Sequence, residues 1–273
     1  MQFEKMLGVL PTDRIDILSD NKALDYFDNI QSRLHVIVQE LEQAGLVFDY
    51  SVQLHKNRRK QLLICDMDST LIGQECINEL ADFAGVKDHV SEITERAMRG
   101  EIGFEGALRE RVALLKDLPT SILQTCFDER ISLNDGAKTL AQTMAKHGAK
   151  TVIVSGGFTF FSERVARDAG FAHHQANILL NDGTLLTGEV ENPILGREAK
   201  QAALEYHSEN VGGPLQAVAI GDGANDLAMI KAAGLGIAYY AKPAVAAAAH
   251  CAINHSDLTT ALYFQGFKDA EFA

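Results

Sequence analysis

The sequence predicts an α/β fold: a Rossmann-like, doubly wound parallel-sheet core, with a helical cap inserted after its first strand and a small α/β segment ahead of it. Three observations carry this. Apolar runs of strand length at 62–66, 151–154 and 216–220 each end in polar or glycine-rich residues, namely Asp66, Ser155-Gly156-Gly157 and Gly221-Asp222-Gly223. Helical stretches around 136–147, 159–169, 197–208 and 224–233 separate them, and such alternation signals a parallel sheet with crossover helices. Between Gln74 and Asp135 the pattern is helical and shows no buried strand. At about 60 residues, this span is too long for a simple connection.

Taken in chain order, residues 1–60 read as a separate small segment. Leu24, Phe27, Ile30, Leu34, Ile37 and Leu41 recur at steps of three and four and predict an amphipathic helix, stopped at Gly45. Phe48, Tyr50, Val52 and Leu54 alternate with polar residues and predict a half-buried strand. The basic run from His55 to Lys60 reads as a solvated connector. Residues 61–74 and 136–273 then form the core, and 75–135 the cap. Within the core, Asn181-Asp182-Gly183 between two apolar runs is a hairpin turn signal, expected to add antiparallel strands at one edge of the sheet.

Composition narrows the functional class. The 273 residues carry a net charge of −12, which argues against nucleic acid as a partner, because phosphate backbones call for Lys/Arg surfaces. It leaves room for a small phosphate ester in a locally positive pocket. Cys65, Cys76, Cys126 and Cys251 lack the spacing of a zinc site or disulfide framework, so they read as apolar packers in a reducing cytoplasm. No apolar run approaches ~18 residues, so no membrane span is expected. Charges early in the chain leave no signal-type apolar core.

The chemistry concentrates where the strand runs end. Asp66 and Asp68 follow an apolar strand one residue apart, and two crowded carboxylates need a cation or a shared proton. Mg²⁺ would answer that need, since it is typically held by one or two carboxylates together with phosphate oxygens. Ser155, with Gly156-Gly157, offers a hydroxyl and unshielded N–H groups near a helix start, a cradle for phosphate oxygens. Taken alone it is only a strand-to-helix turn, as Gly221-Asp222-Gly223 taken alone is only a tight loop.

Their combination says more. Asp66-Met67-Asp68-Ser69-Thr70 resembles the DxDxT/V signature of the haloacid-dehalogenase superfamily of phosphotransferases, and Gly221-Asp222-Gly223-Ala224-Asn225-Asp226 its GDGxND form. Ser155 and the Lys200 of Gly196-Arg197-Glu198-Ala199-Lys200 fall between them in the family's order, across residues 62–233. The resemblance implies that Asp66 is a nucleophile forming an aspartyl phosphate and Asp68 a general acid and base. It implies that Lys200 stabilises charge on the transferring group, with Arg197 and Lys231 as competitors. Mg²⁺ would be held by Asp66, the backbone carbonyl of Asp68, and Asp222. Asp226 would orient the ion's waters, and Asn225 would help bind phosphate.

The cap must then choose the leaving group. Phe104 and Arg111 lie seven residues apart and would share one helix face. Glu75 can hold an ammonium, Arg111 a carboxylate bidentately, and Phe104 can close over both. Such parts suit a small zwitterion, whereas Arg109, Glu105, Glu110 and Glu79 read as surface charges or rival partners. In these positions the chain is similar to superfamily members that hydrolyse O-phospho-L-serine to L-serine and phosphate, the last step of serine biosynthesis. Two alternatives keep the site: a phosphotransferase passing the group to another alcohol such as homoserine, or a phosphatase of another small metabolite. A receiver-type signalling domain would be smaller and lack both Asp68 and a cap. Related phosphatases often carry ACT-type modules ahead of the core, so residues 1–60 read as an ACT-like relic or as a dimerisation arm, the latter implying a homodimer.

Overall fold

Strands β1 (Ile15–Ser19) and β2 (Ala23–Tyr26) pair antiparallel, and helix α1 (Gln31–Gln43) follows them. This is a computed structural model, and it describes residues 5–273 apart from 7, 9, 11, 30, 99 and 100. The helix expected over 24–41 therefore begins only at Gln31, with Leu24 in β2 instead; Ile30 lies outside the described residues. The cause is the turn before β2, where Asn21 takes a positive φ of 62°, a conformation asparagine tolerates, and folds the chain back. Gly45, at φ 75°, follows the helix as expected.

Residues 48–54 form no strand. They run as an extended strap tied to the C-terminal region by side chains. Asp49 accepts from the backbone N–H groups of Asn254 and His255 at 2.8 and 3.1 Å, and Gln53 Nε2 donates to the Phe264 carbonyl at 2.6 Å. The basic connector is not simply solvated either. Arg58 pairs with Asp25, and Arg59 bonds Glu271 at 2.8 Å while its guanidinium lies 4.2 Å from the Phe267 ring centroid.

From β3 (Leu62–Cys65) the chain enters four helices, α2 (Cys76–Phe83), α3 (Lys87–Met98), α4 (Phe104–Ala113) and α5 (Ser121–Arg130). It returns through α6 (Ala137–Lys146), β4 (Lys150–Phe158), α7 (Thr159–Ala169) and β5 (His173–Asn177). A hairpin of β6 (Leu179–Asn181) and β7 (Leu186–Val190) leads to α8 (Arg197–Ser208), β8 (Ala217–Gly221) and α9 (Leu227–Ala232). Strands β9 (Leu235–Tyr239) and β10 (Cys251–Ile253) complete the sheet, with α10 (Pro243–Ala246) between them and α11 (Thr260–Phe264) beyond.

The sheet order is β10-β9-β8-β3-β4-β5, every adjacent pair parallel. Central strands covered by helices on both faces must be apolar throughout. Accordingly Leu62, Leu63, Ile64, Val218, Ala219 and Ile220 are all fully buried. Three strands escaped the sequence reading for identifiable reasons. His173-His174-Gln175 is polar because β5 is an edge; Gly236 interrupts β9; β10 is three residues long. Gly236 is needed there because a Cβ would lie 2.0 Å from the Ile230 carbonyl.

The expected hairpin forms, but not at an edge of the sheet. It makes its own two-stranded sheet and grips the helical insertion. Asp117 N–H donates to the Leu186 carbonyl at 2.9 Å, Leu186 N–H to Leu118 at 2.8 Å and Thr120 N–H to Thr184 at 2.8 Å. Leu108, Val112, Leu186 and Val190 thereby join the main core. All four cysteines are buried and free.

Candidate active site

The chain leaves β3 for β4 on one side and later returns to β8 on the other, so the strand order reverses at the β3–β8 boundary. In open α/β sheets, ligands bind beyond the carboxyl ends of the strands at such a point. Asp66 follows β3 and Asp222 follows β8, with Asp66 N–H donating to the Ile220 carbonyl at 2.9 Å and stitching the two ends together.

Lys200 sits at the centre. It projects from α8, is 2% exposed, and places Nζ 2.7 Å from Asp66 Oδ1 and 2.6 Å from Asp226 Oδ1. Its competitors Arg197 and Lys231 are exposed. Burial opposes the Lys200 charge, but Asp66 and Asp226 outweigh it and hold the ammonium above its ordinary pKa. Asp226, fully buried, also accepts from Gly223 N–H at 3.0 Å and so closes the loop after β8.

Asp66, Asp222 and Asp226 each offer a carboxylate oxygen, all within 4.8 Å of one another. Burial, then Asp226, pushes the Asp66 carboxyl well above its ordinary value against the pull of Lys200. The same two causes raise Asp222 to about 6. Three carboxylates against one ammonium leave two negative charges in a buried space, and all the donors are hard oxygens. That set suits a divalent cation.

Asp68 lies outside this group. Its carboxylate accepts from Cys76 N–H at 2.8 Å and from Ser155 Oγ at 3.1 Å, and Ser155 Oγ accepts from Gly157 N–H at 2.8 Å. The Asp68 side chain thus faces the glycine-rich end of β4. A Cβ at Gly157 would come within 2.6 Å of Asp68 Oδ2, which explains the glycine.

A 390 Å³ cavity is lined by Glu75, Phe104 and Arg111 together with Ser155, Gly156, Gly157 and Asn225. Glu75 accepts from Ser69 Oγ at 2.7 Å, and burial and Asp68 raise its pKa to about 7. Arg111 is anchored through Nε to the Ala107 carbonyl at 3.1 Å and through Nη1 to Thr94 Oγ1 at 3.4 Å. Burial lowers its pKa, with Glu75 opposing. The rival charges are engaged elsewhere: Glu79 with Arg130, Glu110 with Arg96 and Arg109 with Asn192. A larger cavity of 550 Å³ lies between the 21–58 region and residues 255–264, but none of the motif residues lines it.

Some contributors were missed. Thr70, fully buried, places Oγ1 3.4 Å from Asp222 Oδ1; Thr94 braces Arg111; Ser69 turns the chain at φ 55° so that its hydroxyl reaches Glu75. The hydroxyls after Asp68 were the available signal for Ser69 and Thr70. Nothing local marked Thr94.

A rim of carboxylates around a buried lysine at the switch point of a parallel sheet, facing a helical insertion, places the chain in a recognisable class. It belongs to the haloacid dehalogenase-like hydrolase family, whose model matches residues 63–231. Within that class its relatives include phosphoserine phosphatases. One from Archaeoglobus fulgidus is 43% identical over 81% of this chain and 64% of its own length. Another from Streptomyces coelicolor is 44% identical over 84% of this chain and 57% of its own. The chain therefore spans less than two thirds of these two relatives. A solved structure of a probable phosphoserine phosphatase from Vibrio cholerae superposes with a TM-score of 0.76 at 33% identity, over 97% of this chain and 82% of that one. A phospho-aspartyl intermediate analogue of phosphoserine phosphatase superposes at 0.69 with 39% identity, over 76% and 99%.

Proposed function

We propose that this protein hydrolyses O-phospho-L-serine to L-serine and phosphate, using Mg²⁺ and a transient aspartyl phosphate on Asp66. One observation carries the reading. The Asp66 carboxylate, 2.7 Å from buried Lys200, opens on the same cavity as an acidic side chain, Glu75, and a basic one, Arg111. The phospho-aspartyl analogue at 39% identity supports the nucleophile, and the relatives' shared name supports the substrate.

Asp66 and Asp222, with the Asp68 backbone carbonyl, would hold the cation, and Asp226 would steady it. When bound, the ion neutralises charge on the phosphoryl group and aligns it for displacement. The chain's own residues do the rest. Glu75 takes the substrate ammonium, Arg111 its carboxylate, and Phe104 limits water entry. Ser155 Oγ and the Gly156 and Gly157 N–H groups cradle phosphate oxygens, with Asn225 beside them. An Asp66 oxygen attacks phosphorus as the serine oxygen leaves, and Asp68, in its protonated form, donates to that oxygen. Asp68, now ionised, then takes a proton from the water that attacks the aspartyl phosphate, which releases phosphate and restores Asp66. Lys200 offsets negative charge throughout.

The residues 75–135 serve as the cap in this reading. Four free, buried cysteines support a reducing, cytoplasmic setting. The test is phosphate release from a panel of phosphorylated metabolites, with and without EDTA and with added alcohols. Preference for phosphoserine, restoration by Mg²⁺ and indifference to alcohols are expected. Preference for another ester, or transfer to an alcohol, would overturn the assignment.

A further inference from the structure

We propose that Gly156 and Gly196 form a seat for the Phe104 ring and that Asn177 is the positioning residue that holds this seat in shape. The proposal deepens, and rests on, the phosphoserine reading of the same site.

The seat follows from β4. Val154 pairs with Gln175 and Phe158 with Asn177, so four steps along β4 match two along β5 and the stretch Ser155–Gly157 bulges from the ladder. A bulge strands backbone polar groups that burial does not forgive. Asn177, 2% exposed, supplies what the ladder cannot. Its Nδ2 donates to the Gly156 carbonyl at 2.8 Å and to the Leu195 carbonyl at 3.3 Å, and its Oδ1 accepts from Leu195 N–H at 2.7 Å. One buried amide thus ties the phosphate-side bulge to the loop just ahead of α8.

The two glycines so joined meet the same ring. A Cβ on Gly156 would lie 3.2 Å from Phe104 Cζ, and one on Gly196 would lie 3.2 Å from Phe104 Cδ1. The aromatic ring of the insertion therefore rests directly on backbone at two points. Neither glycine takes a positive φ; at Gly196 it is −109°. Their lack of a side chain serves the ring. Phe104 remains 40% exposed, so a methyl group beneath it would lift the ring rather than unfold the core. The same loop holds α4 a second time, Arg109 Nη2 donating to Asn192 Oδ1 at 2.6 Å.

The experiment compares Gly196→Ala in the native and the Phe104→Ala backgrounds, and Asn177→Ala in both. KM and kcat are measured for phosphoserine and for p-nitrophenyl phosphate, which has neither ammonium nor carboxylate. Gly196→Ala should raise KM for phosphoserine roughly tenfold, since small misplacements near a reacting centre are amplified. Turnover of the aryl ester should change by less than about twofold, and in the Phe104→Ala background the phosphoserine penalty should shrink below about twofold, as expected for coupled neighbours. Asn177→Ala should raise KM for phosphoserine at least as much, and because it also frees Gly156 of the phosphate cradle it should cost the aryl ester as well. Hydrogen exchange over residues 104–113, which requires no substrate, should quicken in both variants. Equal penalties in the two backgrounds, or unchanged exchange with an unchanged KM, would overturn the seat. Should Asn177→Ala fail to fold, Gly196→Ala decides alone. Should the native protein leave phosphoserine intact, the functional reading falls and exchange alone judges the seat.

Discussion

Lys200 shows how far a single side chain depends on its surroundings. Alone on a helix face it would be a solvated lysine; here it is buried between Asp66 and Asp226. Removing the one cation of such a group leaves buried carboxylates uncompensated, typically costing about 3–5 kcal/mol. Lys200→Met should therefore lower the stability of the metal-free protein by that order in chemical denaturation. Asp66→Asn should do the opposite in kind. It should cut phosphate release by at least about 10³-fold, as expected when a covalent nucleophile is lost. Yet it removes one of three crowded carboxylates, so metal-free melting temperature should hold or rise.

Two acids give pH signatures of opposite use. Asp222 keeps its proton in the fold up to about 6, against an ordinary 3.8. Between those values the folded state binds the extra proton, so metal-free stability falls as pH rises through the window, and a cation must displace that proton. The rise in melting temperature on adding Mg²⁺ should therefore shrink as pH drops through about 6. Glu75 loses its proton at about 7, and only its ionised form attracts an ammonium. In pH–rate profiles kcat/KM for phosphoserine should fall below that pH, while a phosphate ester without an ammonium should not follow it.

At the scale of elements, α4 carries both Phe104 and Arg111 into the cavity, as their seven-residue spacing predicted. A hydrogen bond to a charged group contributes about 1.5–3 kcal/mol. Arg111→Ala should thus raise KM for phosphoserine by roughly 10- to 100-fold while sparing phosphoethanolamine, which lacks the carboxylate. Equal losses on both would show that Arg111 does not read that group. Helix periodicity made these two residues legible, because i and i+7 share a face whatever lies opposite. Asn177 was illegible for the converse reason. It ends a short polar edge strand, and its importance comes from a bulge in the neighbouring strand that no local pattern announces.

For the whole molecule, the central strands are fully buried without help from the site, which lies beyond their ends. Stripping metal should accordingly abolish turnover while leaving the far-ultraviolet circular dichroism unchanged. The N-terminal segment was the least legible part. Its apolar spacing suited a helix over 24–41, but a turn at Asn21 divided those residues between a strand and a helix, and tethers to residues 254–271 held the following stretch as a strap.

What the sequence alone determined was the three strands β3, β4 and β8 at the heart of the sheet, the polar residues that end them, and hence the chemistry at the rim. These are local facts, encoded in adjacent residues. The tertiary structure alone decided which cation meets Asp66, where the hairpin docks and which backbone lies under Phe104. Those outcomes depend on distances between remote segments, and such distances exist only once the sheet has brought the strand ends together.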